Sequence, residues 1–270
     1  MANGSLPLQN VRALVFDVFG TSVDWRSTVV AEVYASWTAK AQAADLPEQL
    51  RGRLKALSRH DSEQFSQQWR DSYGQFTSTF VPGHTPWKDI DTHHYDSLLQ
   101  LLDKWQLSDV YTDAEARELS LVWHRLGPWP DSAQGLRKLG SRYTTATLSN
   151  GNPELLNDLN KMVNGQFQVI ISAADFSAYK PNPRVYNGAA EKLGLPTDQV
   201  ALVAAHLRDL DAARGCGMKT IYVERLGEED CTGDEVEEAR RWVDVWVSLG
   251  EEGFVEVARR LGVGEDMSDS

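Results

Sequence analysis

The chain opens its pattern with a short apolar run, VRALVFDVF over Val11–Phe19, partly β-branched and stopped by Gly20-Thr21. Such a run predicts a buried strand with Asp17 at its carboxyl end. From about residue 25 to 126 helical spacing takes over. Leu98, Leu99, Leu101, Leu102 and Trp105 read as one apolar helix face, and VPGHTPW at Val81–Trp87 reads as a Pro/Gly break between helices. PWPD at Pro128–Asp131 marks a second boundary. Beyond it apolar runs and helical runs alternate. Strands are predicted at Thr144–Leu148, Val169–Ser172, Val200–Ala205 and Lys219–Val223, and helices at Asn152–Met162, Arg184–Leu193 and Leu210–Cys216. Trp242–Val247 is read as a last strand and Gly253–Leu261 as a closing helix. The tail GEDMSDS is polar and expected to fray.

This alternation predicts an α/β fold, a Rossmann-like parallel sheet with helices on both faces. The strand near residue 15 belongs with that sheet, so the helical middle is an insertion. The boundaries read as a core over 1–24 and 127–270 and a helical cap over 25–126. In open parallel sheets ligands bind outside the carboxyl ends of the strands. The polar residues there are Asp17, Ser149-Asn150, Lys180 and His206 to Asp209, so one end of the sheet collects two carboxylates, a hydroxyl and a lysine.

Composition narrows the class. Of 270 residues, 41% are hydrophobic and 24% charged, as in a globular protein. A formal net charge of −12 argues against nucleic acid or an anionic membrane as partner, since both need clustered Lys and Arg. Two cysteines, Cys216 and Cys231, give neither a disulfide framework nor a metal-binding spacing. The opening MANGSLPLQN has no basic or apolar stretch of a signal peptide, and no run has membrane-spanning length. The expectation is a cytoplasmic protein with a small-molecule substrate, no cofactor and no metal. A homodimer is compatible with the residues, and oligomeric state stays open. Adjacent His93 and His94, flanked by Asp91 and Asp96, lack the spacing that sets two ligands on one helix face.

FDVFGT (Phe16–Thr21), LSNGN (Leu148–Asn152), YKPNPRVY (Tyr179–Tyr186) and VAAHLRDLDAA (Val203–Ala213) resemble the four ordered motifs of the haloacid dehalogenase superfamily. More narrowly they resemble type II L-2-haloacid dehalogenases, and the insertion matches that family's cap. WRDSY at Trp69–Tyr73 is similar to the cap segment that carries a substrate-facing arginine. VDWR (Val23–Arg26) and WHRLGPWPDS (Trp123–Ser132) are similar to a subgroup that includes dehalogenases acting on fluoroacetate. The resemblance implies Asp17 as the nucleophile that forms an ester with carbon, and Lys180 beside it. It implies Thr21, Ser149 and nearby backbone N–H groups on the substrate carboxylate, and Asn150 and Arg70 on the departing halide. Tyr186 matches an active-site tyrosine, although a helix tyrosine is as often core, while Asp209 holds Lys180 or orients the hydrolytic water. Where many relatives have Ser-Ser-Asn this chain has Ala204-Ala205-His206, and His206 titrates near neutrality as Asn cannot. Arg208 has no account at this stage.

Position 19 discriminates between chemistries. Phosphatases of the superfamily carry there a second Asp that protonates the leaving alcohol, and they recruit Mg²⁺. Phe19, here grouped with the substrate-binding residues, supplies no proton. Halide leaves as a stable anion and needs none. Four readings follow: hydrolysis of a carbon–halogen bond alpha to a carboxylate, opening or rearrangement of an epoxide in a secondary pathway, a Mg²⁺-dependent phosphatase disfavoured by Phe19, and an idle binding protein. Trp25, Trp69, Trp123 and Trp129 either line a small dry pocket or pack a core.

Overall fold

The computed structural model describes residues 8–263. The readings of the GEDMSDS tail and of most of the MANGSLPLQN opening fall outside the described residues. In chain order the elements are β1 (Ala13–Phe16), β2 (Val23–Asp24), α1 (Trp25–Lys40), α2 (Glu48–Ala56), α3 (Arg59–Thr79), α4 (Ile90–Lys104), α5 (Asp113–Ser120), β3 (Gly127–Pro128) and α6 (Ser132–Leu139). There follow β4 (Thr144–Thr147), α7 (Pro153–Met162), α8 (Pro183–Lys192), β5 (Val200–Ala204), α9 (Leu207–Gly215), β6 (Lys219–Val223), α10 (Gly233–Ala239), β7 (Val245–Val247) and α11 (Gly253–Arg260). They form two compact units, one comprising Asp24–Gly127 and the other the chain up to Val23 together with Pro128 onward. Among the described residues no helix is long and apolar enough to cross a membrane.

The second unit is built on a five-stranded parallel sheet in the order β4-β1-β5-β6-β7. Parallel strands need their side chains covered on both faces, and the alternation within each strand meets that need. Leu14, Phe16, Ala201, Val203, Ile221 and Val223 share one face with Leu136 and Leu139 of α6 and Phe254, Val257 and Leu261 of α11. Phe16 meets Phe254 edge-on, with centroids 5.1 Å apart. Val15, Leu202 and Ala204 alternate to the opposite side and are equally buried; α9 packs against β5 and β6. Register does the rest. Phe16 pairs with both Thr147 and Val203, so the three strands end level and the residues after them emerge side by side.

Two expectations need correction, and one element was not expected. Val169–Ser172 is not a strand; it makes only the isolated bridges Ala146 to Val169 and Ser149 to Ser172. The Thr147 hydroxyl accepts from the Ile171 N–H (2.9 Å) and donates to the Ile171 carbonyl (3.0 Å), doing the work a ladder would do. Leu99 is 41% exposed, whereas Leu98, Leu101 and Leu102 of α4 are buried, because successive helix positions point about 100° apart and five such residues cannot share a face. The helix α10 was not foreseen; its sequence lacks an apolar stripe.

The unit Asp24–Gly127 is helical and aromatic-centred. Trp25 stacks on Trp123 (5.9 Å), Trp69 meets Trp123 edge-on (5.5 Å) and His94 stacks on Trp123 (4.5 Å). Trp25, Trp69 and Trp123 are therefore core. Burial pushes the His93 imidazole down to about 4 and that of His94 well below its ordinary value, so both rings are neutral packing groups. His93 lies flat on Phe76 at 4.4 Å.

Candidate active site

Asp17 follows β1 directly, its N–H bonded to Val203 O at 3.0 Å. Its two oxygens have different surroundings. Oδ1 accepts from Lys180 Nζ at 3.0 Å. Oδ2 accepts from the Thr21 hydroxyl at 2.7 Å and forms an ion pair with His206 Nδ1 at 3.3 Å. The chain can fold back in this way because Gly20 adopts φ +83°, where L side chains are strained. Ala205 N–H fixes the Thr21 oxygen at 2.9 Å, and Arg225 Nε bonds Thr21 O at 3.1 Å.

Lys180 arrives from the segment ahead of α8, which starts with Asn182 as N-cap and Pro183 in the first turn. Its ammonium bridges Asp17 and Asp209, 2.6 Å from Asp209 Oδ2. The second oxygen of Asp209 accepts from the buried Tyr186 hydroxyl at 2.6 Å. Asn150 Oδ1 accepts the Lys180 backbone N–H at 2.7 Å, so its oxygen is committed to orienting the lysine segment. Ser149 is buried, with its hydroxyl oxygen 3.4 Å from Gly151 N. Asp17, Thr21, Lys180, Tyr186, His206 and Asp209 are thus joined in one network, with Asn150 as its backbone support. Arg70 belongs to the other unit, where its guanidinium lies over Tyr73 (4.6 Å) and Trp25 (5.7 Å).

The family described as haloacid dehalogenase-like hydrolase matches residues 11–217. The chain belongs to the haloacid dehalogenase-like hydrolases. Within them it resembles type II L-2-haloacid dehalogenases. It is 29% identical to (S)-2-haloacid dehalogenase 4A of Burkholderia cepacia, with 82% of this chain and 86% of that one covered. A solved structure of a defluorinating L-2-haloacid dehalogenase superposes with a TM-score of 0.78 at 31% identity, covering 93% of this chain and 95% of the other. A dehalogenase solved with an intermediate complex gives 0.71 at 26%, covering 93% and 97%.

The electrostatics of this hydrolase's site are set by paired burial. Burial works to raise the Asp17 pKa, but the Lys180 charge, His206 and the Thr21 hydroxyl outweigh it and hold the carboxyl far below its usual range. Burial works to lower Lys180, and Asp17 with Asp209 reverses the sign and raises it. Burial, then the Asp209 charge, pushes the Tyr186 hydroxyl up, so it stays a donor. Burial would lower His206 as well, yet contacts with Asp17 and Glu228 push it up to about 10.

Sequence reading missed two contributors. Glu228 follows β6, its carboxylate 3.4 Å from His206 Nε2 and its side chain 4% exposed. Arg225, buried, grips both oxygens of Asp131 (2.6 and 2.8 Å) while holding Thr21 O. The PWPD run thus has a positioning use besides marking a boundary. Trp129 shares it, donating its indole N–H to Gly20 O at 2.9 Å. Arg208 now has an account: it faces Asp230 (3.4 Å) and Glu235 (3.8 Å), fastening the same loop from outside.

For a metal, the only grouped ligands among the described residues are Glu229, Asp230 and Cys231, within 4.8 Å of one another. Glu229 already accepts the N–H groups of Leu207, Asp230 and Cys231. Buried Phe19 stands where a phosphatase's second acid would be.

Proposed function

We propose that this chain hydrolyses the carbon–halogen bond of a small 2-haloacid, with Asp17 as covalent nucleophile. The observation that carries the reading is the unequal pairing of the Asp17 oxygens. Oδ2 is held by Thr21 and His206, whereas Oδ1 meets the Lys180 ammonium. Oδ1 is therefore the oxygen suited to attack: its C–O bond forms at the halogen-bearing carbon as the carbon–halogen bond breaks, and halide departs with the electron pair. Lys180 keeps Asp17 ionised and offsets the substrate's own negative charge. Phe19 supports attack on carbon over phosphoryl transfer, because no second acid stands there to protonate an alcohol.

Water then adds to Cγ of Asp17 and the Cγ–Oδ1 bond breaks, leaving an alkoxide on the product. One water proton passes to Asp209 and Lys180 gives a proton to the alkoxide. The 2.6 Å contact between these two side chains lets the ammonium be restored. The second water proton goes to solvent as the Asp17 carboxylate re-forms. Arg70, on the WRDSY resemblance, is assigned to the departing halide, with Asn150 offering its amide NH₂.

A single turnover in ¹⁸O-water with enzyme in excess tests the reading. The 2-hydroxyacid should emerge mostly unlabelled, and the peptide containing Asp17 should gain mass. Fully labelled product with an unchanged peptide would mean that water attacks the substrate itself, and Asp17 would lose its role.

A further inference from the structure

Glu228 is a carboxylate buried in an already anionic site, and nothing in the sequence pattern foretold it. It packs on the nucleophile turn so closely that a Cβ on Gly20 would overlap its carboxylate. An isolated charge there is costly, more so beside Asp17, Asp209 and an anionic substrate. A charge partner is at hand in the imidazole of His206, whose other nitrogen faces Asp17 Oδ2. The ring is therefore clamped between two carboxylates, one nitrogen to each.

We propose that Glu228 is a positioning residue for dehalogenation: it holds His206 as an imidazolium against Asp17 Oδ2, so that the ring's charge meets the oxyanion formed when water opens the aspartyl ester. The inference rests on Asp17 being the nucleophile through Oδ1. Once Oδ1 is esterified, Oδ2 is the ester carbonyl oxygen, and water adding to Cγ drives the electron pair onto it. Two groups already point there, the Thr21 hydroxyl at 2.7 Å and the imidazolium at 3.3 Å. They constitute an oxyanion hole, neutral on one side and charged on the other. The charged side is needed only in this second step. Before it, Lys180 suffices to hold Oδ1.

His206 also sits at the N-terminus of α9, without a side-chain capping bond. Helix N-termini disfavour positive charge, so the imidazolium needs local anions. Glu229 takes over the cap by accepting Leu207 N–H at 3.0 Å, which leaves the ring to Asp17 and Glu228. The charged groups around the ring are Asp17 after β1, Lys180 ahead of α8, Asp209 and Arg208 on α9, and Glu228 and Glu229 after β6. Arg208 is turned toward Asp230 and Glu235. Removing the Glu228 charge therefore leaves Asp17 as the ring's remaining ion-pair partner, and esterification then cancels that one too.

The test compares wild type with Glu228→Gln, using (S)-2-chloropropionate and rapid-quench chloride release. First-turnover chloride should stay within about two-fold, because ester formation does not use the charged side of the hole. Steady-state kcat should fall by ~10-fold or more, giving a chloride burst near one equivalent. The Asp17 peptide should accumulate the mass of a 1-carboxyethyl ester. Followed by NMR, the alkaline titration of His206 should move at least one pH unit toward neutrality. Unchanged kcat, no burst and an unmoved His206 titration would overturn the proposal. Should Glu228→Gln not fold, Glu228→Asp keeps the charge at shorter reach and must shift kcat and titration in the same direction, or the proposal fails. Wild type that never forms an adduct on Asp17 would sink the nucleophile reading as well, whereas a wild-type adduct with an indifferent variant sinks only this inference.

Discussion

Single residues decide what each oxygen of Asp17 faces, and the motifs exposed most of them. Asp17, Lys180 and Asp209 could be named because each stands in an ordered motif; the level register of β1 and β5 sets Asp17 beside the start of α9, and Lys180 reaches both from the segment ahead of α8. The resemblance put Thr21 on the substrate carboxylate; its hydroxyl lies on Asp17 Oδ2. Glu228 was illegible for a physical reason. It lies in a GEED run with no periodicity to mark it, and its burial comes from contacts made only in the folded chain, at the Gly20 turn and at His206. Tyr186 could have been core or site from sequence, and its hydroxyl on Asp209 Oδ1 makes it both. Tyr186→Phe leaves that part-buried carboxylate one donor short. Hydrogen bonds to charged groups are worth about 1.5–3 kcal/mol, so urea unfolding should show a loss in that range and kcat should fall. A variant as stable and active as wild type would show the bond to be inconsequential.

Elements were legible where periodicity and punctuation agreed. Lys219–Val223 is the strand that was read, and the Pro/Gly break separates α3 from α4. Legibility failed where side chains replaced backbone, as at Thr147 against Ile171, and where a helix carried no apolar stripe. For α10 a signal was present: Thr232 and Glu235 form a capping box. Packing between elements was invisible. Gly135 of α6 lies so close to α11 that an added Cβ would stand 2.5 Å from Phe254 C and 2.8 Å from Val255 N. Backbone cannot yield as a flexible side chain does. Gly135→Ala should therefore destabilise the protein by about 1–3 kcal/mol, measured by chemical denaturation, although alanine favours an isolated helix. A neutral or stabilising result would mean that α6 and α11 separate freely.

For the whole molecule, the paired groups of the site tie stability to pH. His206 is raised, so its contribution is complete below the ordinary imidazole value of about 6.5 and is lost as pH climbs through about 10. Asp17 is lowered, so its contribution exists above the ordinary carboxylate value and disappears as pH falls. Between pH 7 and 10 the unfolding free energy of wild type should decline, and in His206→Asn it should decline less. Parallel slopes would show that the ring is not charged in the folded state. The two-unit architecture follows in outline from the change of periodicity along the chain. The order in which its parts are made has a further consequence for synthesis. Strand β1 is flanked by β4 and β5, yet all of Asp24–Gly127 is translated before either neighbour exists. At roughly 5–20 residues per second, β5 follows β1 by roughly 10–40 s. Until Thr144–Thr147 is made the nascent chain carries the apolar segment Ala13–Phe16 without either pairing strand, and until Val200–Ala204 follows it has at most one. Strand β1, with Asp17 directly after it, is thus an apolar segment of the newborn protein that gains from chaperone shelter until its neighbours arrive.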